Sequence, residues 1–200
     1  MLLFACERGQ DFRDVQNLSS TGKNIISFGD SLTEGVGAGA GKNYPTLLAE
    51  GLGRPIINAG RRGDTTAAGL SRLERDVLGR NPRLVLVLFG GNDFLRRVPL
   101  ERTIHDLEMM VKRIQEQGAM VVLLGLKLGV FRDEYSPMYE DVADKYGASL
   151  VPDVLAGILS DPRLRSDAIH PNGTGYELMT DRILKKVRPL LQEADRRIRG

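Results

Sequence analysis

The sequence predicts an α/β protein, a three-layer α/β/α sandwich around a parallel sheet. Three observations point there. Short apolar runs alternate five times with stretches of helical periodicity. The runs are apolar throughout rather than at every second residue, as strands buried on both faces are. The chain has 200 residues and 42% hydrophobic content, enough for one substantial core and too little for two.

Each element has its own signal. Residues 7–23 are polar and without a period, and read as an extended leader, so the expected division is a leader over 1–23 and one domain over 24–200. Ile25-Ile26-Ser27-Phe28 is the first apolar run and ends at Gly29. Pro55-Ile56-Ile57-Asn58 is the second, Leu84 to Phe89 the third, Met120 to Leu126 the fourth and Ser149-Leu150-Val151 the fifth. Between them, Leu70, Leu73 and Val77 recur at helical spacing. Leu100, Ile104, Leu107, Val111 and Ile114 form a longer stripe that Gly118 ends. Tyr139, Val142, Ala143 and Tyr146 form another, stopped by Gly147. A last helix is expected from about Gly173 to Arg197, with Pro189 as a place to bend.

Composition excludes several functions. The 28 basic and 26 acidic side chains nearly balance, which gives no electrostatic case for nucleic acid as a partner. The basic tail from Lys185 to Arg199 is interleaved with Leu190, Leu191 and Ile198 and reads as the solvated face of a helix. A single cysteine, Cys6, permits no intramolecular disulfide and no cysteine-based zinc site. No cluster has metal-ligand spacing, so neither metal nor other cofactor is expected. No segment is long enough to span a membrane. Leu3-Phe4-Ala5-Cys6 looks like the tail of a bacterial lipoprotein signal, without its basic start and full apolar stretch. A lipid anchor on Cys6, and with it a cell-envelope or periplasmic location, is one reading. A chance match in a cytoplasmic protein is the other.

In a sheet of this kind ligands bind beyond the carboxyl ends of the strands, so the loops there are the ones to search. The first strand ends in Gly29-Asp30-Ser31-Leu32. A serine opening a helix could aim its own N–H at a developing anion, although taken alone the tetrapeptide is explained more simply by Asp30 or Ser31 as a plain N-cap. The second strand leads to Gly63-Asp64-Thr65, where Gly63 leaves its N–H open to close approach and Asp64 or Thr65 caps the next helix. The third runs into Gly90-Gly91-Asn92-Asp93, where two glycines are costly unless the backbone needs them and Asn92 brings an amide donor. The last loop reads Asp167-Ala168-Ile169-His170-Pro171. Pro171 biases His170 toward an extended conformation. Asp167 is spaced to reach Nδ1 of its imidazole, leaving Nε2 free as a base. The other histidine, His105, lies beside Ile104 and Leu107 in a helical pattern and reads as a surface or packing residue. Together these pieces supply a nucleophile, a base, an orienter and oxyanion donors, the set that acyl transfer needs without a cofactor.

These four blocks, in this order, resemble the GDSL or SGNH hydrolases, over roughly residues 24–192. The resemblance implies a flavodoxin-like sandwich with five parallel strands. It implies Ser31 as nucleophile, His170 as base and acid, and Asp167 as its orienter. The N–H groups of Ser31 and Gly63 and the amide of Asn92 would hold the oxyanion. Within the family the sequence looks most like bacterial arylesterases and thioesterase/lysophospholipases. A small-molecule acyl or aryl ester, a thioester or a lysophospholipid is therefore the expected substrate. Arg61 and Arg62 depart from the small polar residues expected before Gly63 and raise the question of substrate charge. Asp30, beside the nucleophile, and Val130 and Phe131, after the fourth strand, are expected to line the substrate.

Three rivals are weaker. The run from Gly35 to Lys42 has Val36 where a phosphate loop needs glycine and Asn43 where it needs Ser or Thr. Its Gly35, Gly37 and Ala40 fit a dinucleotide pattern, but Ser31 to Glu34 separate it from the strand and no acid ends the second strand. It reads instead as a flexible rim of the site. A non-catalytic binding module would need a broken triad. A carbohydrate O-deacetylase shares the constellation and is the alternative within the enzyme class, although the chain has no tryptophan for a sugar platform.

Overall fold

The computed structural model describes residues 12, 14–129 and 133–200. Cys6, Val130 and Phe131 lie outside the described residues. Five strands form one parallel sheet: β1 Asn24–Gly29, β2 Ile56–Gly60, β3 Pro82–Leu88, β4 Met120–Leu124 and β5 Ser149–Val151. Their order is β2-β1-β3-β4-β5, the flavodoxin-like order, which places the topological switch between β1 and β3. Every residue of β4 and all of β3 but Arg83 are buried, as unbroken apolar runs require.

The helices are α1 Ser31–Glu34, α2 Tyr44–Leu52, α3 Thr66–Asp76, α4 Gly91–Leu95, α5 Leu100–Glu116, α6 Tyr135–Tyr146 and α7 Gly173–Arg199. The three amphipathic stripes read from the sequence are α3, α5 and α6, and His105 is exposed on α5 as expected. The final helix is 27 residues long and carries Pro189 inside it. It buries Tyr176, Met179, Ile183, Val187, Leu190 and Ala194 in one stripe, and this packing outweighs the backbone bond that proline removes.

Some elements differ from the expectation. β4 stops at Leu124, not Leu126, because Gly125 turns away to pair with the β5 exit, its N–H donating to the Val151 carbonyl at 2.8 Å. α2, between the first two strands, gave no clear stripe. It is fixed by the Asn43 cap, Pro45 in its first turn and Gly53 at its end. The described part of the expected leader is not detached. Phe12 and Leu18 join the core, and the Asn17 amide donates to the carbonyls of Gln115 and Ala119 at 2.9 and 3.0 Å.

The glycine run is only partly a flexible rim. Gly37 has φ +85°, and a Cβ there would lie 2.1 Å from Ser166 Oγ and 2.6 Å from the Pro171 carbonyl oxygen. Tyr176 donates its hydroxyl to the Val36 carbonyl at 3.0 Å, and Ala38 is buried. The start of the run is thus packed against the histidine loop. Open space surrounds only its Gly39 and Gly41.

Candidate active site

The sheet register sets three strand exits side by side. Gly29 is the partner of Gly60 on β2 and of Leu88 on β3. The segments that follow, from Ser31, Gly63 and Asn92, therefore start from one edge.

At the β1 exit Asp30 is 2% exposed and accepts the Leu32 N–H at 3.0 Å, capping α1 and making Ser31 its first residue. The cap and the expected nucleophile are thus neighbours, and the plain N-cap reading describes Asp30 without excluding Ser31. At the β2 exit Thr65 caps α3, accepting from Ala68 N–H, while Asp64 pairs with Arg72 at 2.6 Å. Gly63 has φ +79°, and its carbonyl accepts from Arg96 at 2.7 Å. Among the described residues, neither the Ser31 N–H nor the Gly63 N–H has a hydrogen-bond partner. At the β3 exit Gly90 has φ +120°, and a Cβ there would meet the Tyr139 hydroxyl at 2.5 Å. Only glycine fits, which explains the first glycine of that block. The Asn92 amide donates to Asp30 Oδ2 at 3.1 Å and to the Asp64 carbonyl at 3.0 Å, tying all three exits together.

His170 reaches this edge from the last loop. Its Nε2 lies 3.0 Å from Ser31 Oγ, a contact between residues 139 apart in sequence. Its Nδ1 lies 2.8 Å from Asp167 Oδ2. Asp167 Oδ1 also accepts the N–H groups of Ile169 and His170 at 2.8 and 2.9 Å. The Ile169 N–H first, and the His170 ring next, hold its carboxyl below the usual range, so it is ionised and sets the Nδ1–H tautomer. All of Ser31, Asp167, His170, Gly63, Asn92 and Asp30 therefore belong to one locality.

Asp30 is a special carboxyl there. Burial pushes it up to about 7 against the opposing effect of the Leu32 N–H and the Asn92 amide. Beside it lies a cavity of about 150 Å³ lined by Ser31, Asn92 and His170 on one side and by Leu126, Leu128, Leu155 and Leu159 on another. Phe94, Leu95 and Ile169 are exposed at its mouth.

Two supporting residues escaped the sequence reading. Arg72 is buried; it donates to Asp64, to the Gly29 carbonyl at 2.9 Å and to the Ala59 carbonyl at 2.9 Å, and it stands 4.5 Å over the Phe28 ring. Asp93 is fully buried and accepts from Thr66 N–H at 3.0 Å, Thr66 Oγ1 at 2.6 Å and Thr103 Oγ1 at 3.4 Å. A signal for Arg72 was present: Gly69, Arg72, Leu73 and Asp76 recur at i, i+3, i+4 and i+7, a buried face that contains an ion pair.

Comparison with known proteins agrees with this geometry. Residues 27–178 match the model of the GDSL-like lipase/acylhydrolase family. The chain is 31% identical over 164 residues to an arylesterase of Vibrio mimicus, covering 76% of this chain and 82% of that one. It is 28% identical over 175 residues to thioesterase 1/protease 1/lysophospholipase L1 of Escherichia coli (strain K12), covering 84% of each. The crystal structure of TesA superposes with a TM-score of 0.79 at 28% identity, over 84% of this chain and all of that one. The match spans every strand exit just described, and the chain belongs to the GDSL-like lipase/acylhydrolase family of carboxylic ester hydrolases.

Proposed function

We propose that the chain hydrolyses carboxylic esters by way of an acyl-enzyme on Ser31. The observation that carries this is His170 standing 3.0 Å from Ser31 Oγ and 2.8 Å from Asp167. As Ser31 Oγ attacks the acyl carbon, Nε2 of His170 takes its proton, and Asp167 stabilises the imidazolium. The carbonyl oxygen becomes an oxyanion facing the free N–H groups of Ser31 and Gly63 and the Asn92 amide. Each such donor contributes about 3 kcal/mol to the rate. The Asn92 amide contacts Asp30 Oδ2 at 3.1 Å and the Asp64 carbonyl at 3.0 Å, and in this reading one of these N–H groups is shared with the oxyanion. The tetrahedral intermediate collapses with the C–O bond breaking, and His170 gives its proton to the leaving alcohol. Water then attacks the acyl-enzyme with His170 again as base, releasing the acid and restoring Ser31.

The apolar cavity beside Ser31 suits an acyl or aryl group better than a sugar ring, so O-deacetylation takes second place. The test is labelling with a fluorophosphonate. One adduct on the peptide containing Ser31, absent from Ser31→Ala, is expected. An active enzyme that takes up no label, or a labelled Ser31→Ala, contradicts the assignment. Lipidation of Cys6, and with it an envelope location, is part of this proposal. Labelled palmitate should be incorporated in cells and lost in Cys6→Ser, and incorporation that persists in the variant rejects it.

A further inference from the structure

Four exposed arginines stand on the oxyanion side of the site. Arg61 and Arg62 lie in the turn after β2, and Arg96 and Arg97 at the end of α4. The bond from Arg96 to the Gly63 carbonyl draws these two segments together. The turn is fastened to the nucleophile's own segment. Arg61 N–H donates to the Gly29 carbonyl at 3.0 Å, just before Ser31, and Arg62 N–H donates to Glu34 at 2.6 Å, just after it.

This charge is not spent on carboxylates. Among the described residues, the side chains of Arg61, Arg62 and Arg97 form no ion pair. Of the nearby acids, Asp64 and Asp76 are held by Arg72, with Arg75 also on Asp76, while Glu34 accepts only the uncharged Arg62 N–H and offsets part of this charge. Arg97 sits at φ +55°, in the left-handed region that asparagine or glycine occupies at less cost. Beyond the turn, an open cavity of about 290 Å³ continues the basic surface along the outer edge of the sheet. Arg61, Arg72, Arg75 and Arg80 line it, with Asp76 as its one carboxylate among the described residues.

The apolar cavity lies in the other direction. Four of its leucines, Leu126, Leu128, Leu155 and Leu159, come from the segments after β4 and β5, and Phe94 and Leu95 come from α4 after β3, whereas Arg61 and Arg62 follow β2, and β1 with Ser31 stands between these two sides of the sheet. An ester has two halves, and the site offers them opposite environments. Resting on the esterase reading above, we infer that the enzyme prefers esters whose alcohol part carries a negative charge, phosphate or carboxylate. The acyl part enters the apolar cavity, and Arg61 and Arg62 attract the anionic alcohol. Exposed single pairs contribute little, but neighbouring unpaired cations on one rim steer an anion and are screened by salt.

The test compares two water-soluble esters with the same acyl group and the same type of leaving alkoxide, 1-butyrylglycerol 3-phosphate and 1-butyrylglycerol. At low ionic strength the kcat/KM ratio of the charged over the neutral ester should be about tenfold. It should fall toward one in the double variant Arg61→Glu/Arg62→Glu, fall part-way in Arg61→Gln/Arg62→Gln, and shrink as salt rises to about 0.5 M. A ratio near one in the unmodified enzyme overturns the inference. So does a ratio that the variants leave unchanged, or equal losses on both esters, which would make these arginines supports of the turn. A glycerol monosuccinate favoured over the butyrate to the same degree would put the charge on the acyl side and also overturn it. If neither glycerol ester nor a p-nitrophenyl ester is hydrolysed, it is the esterase reading that has failed, a result distinct from a ratio of one.

Discussion

The two sides of the catalytic centre are held in different ways. Ser31, Gly63 and Asn92 stand at three adjoining strand ends, braced from beneath by the buried Asp30, Asp93 and Arg72. Asp167 and His170 belong to a surface loop held mainly by itself. Ser166 N–H donates to the His170 carbonyl at 2.9 Å, Asn172 N–H to the Leu164 carbonyl at 2.9 Å, and Asn172 caps α7. The Asp167 side chain is 51% exposed, whereas that of His170 is 11%. The proposed oxyanion donors would lose the energy they supply if they relaxed, and sheet register sets them. The base must instead carry protons between groups, and a local loop with one well-aimed carboxylate suffices.

Four substitutions separate these sides, from the largest expected effect to the smallest. Ser31→Ala should lower kcat on a p-nitrophenyl ester by about 10⁴-fold while the protein stays folded; residual activity within about tenfold of the parent removes Ser31 as nucleophile. Asp167→Ala acts on the exposed side, where water can partly replace the carboxylate. We expect a loss of about 10²-fold in kcat with little change in stability, and a large fall in unfolding free energy would show that the loop braces the fold. Asp93→Ala acts on the buried side and should do the reverse. It strips the Thr66 N–H and two hydroxyls of their buried acceptor, for a loss of about 3 kcal/mol measurable by urea unfolding. An unchanged midpoint would show that Asp93 is not a brace.

Asp30→Asn sharpens the comparison through pH. Folding raises the Asp30 carboxyl from 3.8 to about 7, so the protonated form favours the folded state. That stability is complete below pH 3.8 and is lost as pH rises through about 7. The asparagine cannot ionise. Relative to it, the parent should lose stability steadily between pH 4 and pH 7 and no further above that, as measured by urea unfolding across the range. A difference between the two proteins that does not vary with pH would rule out Asp30 as the titrating group.

The same division explains what the sequence made legible. Strand-end residues are marked by glycine at the exit of an apolar run, because backbone crowding leaves no other residue there. Gly90, facing the Tyr139 hydroxyl, is such a case. The His170 loop is marked because its spacing and Pro171 act locally. The braces were harder to see: Asp93 bonds to Thr66, 27 residues away, and Arg72, although its Asp76 partner is local, also reaches the Gly29 carbonyl 43 residues away, so both resemble surface charges until the fold encloses them. The packing of Gly37 on Ser166 was hidden for the same reason, and a glycine-rich run with no visible partner looked flexible. α2 was missed because its buried residues, Tyr44, Pro45 and Leu48, make too short a stripe to stand out beside those glycines.

The 139 residues between Ser31 and His170 also bear on how activity arises during synthesis. The proposed nucleophile follows directly on β1, which occupies an inner position of the sheet and is made early, whereas its proposed base arrives with the loop that leads into α7. A nascent chain can complete β1, β2, β3 and β4 and still lack a proton acceptor for Ser31. On the proposed mechanism, full ester turnover reports that the carboxyl-terminal segment has been made and has docked, and partial chains lack their base however much of the sheet they have formed.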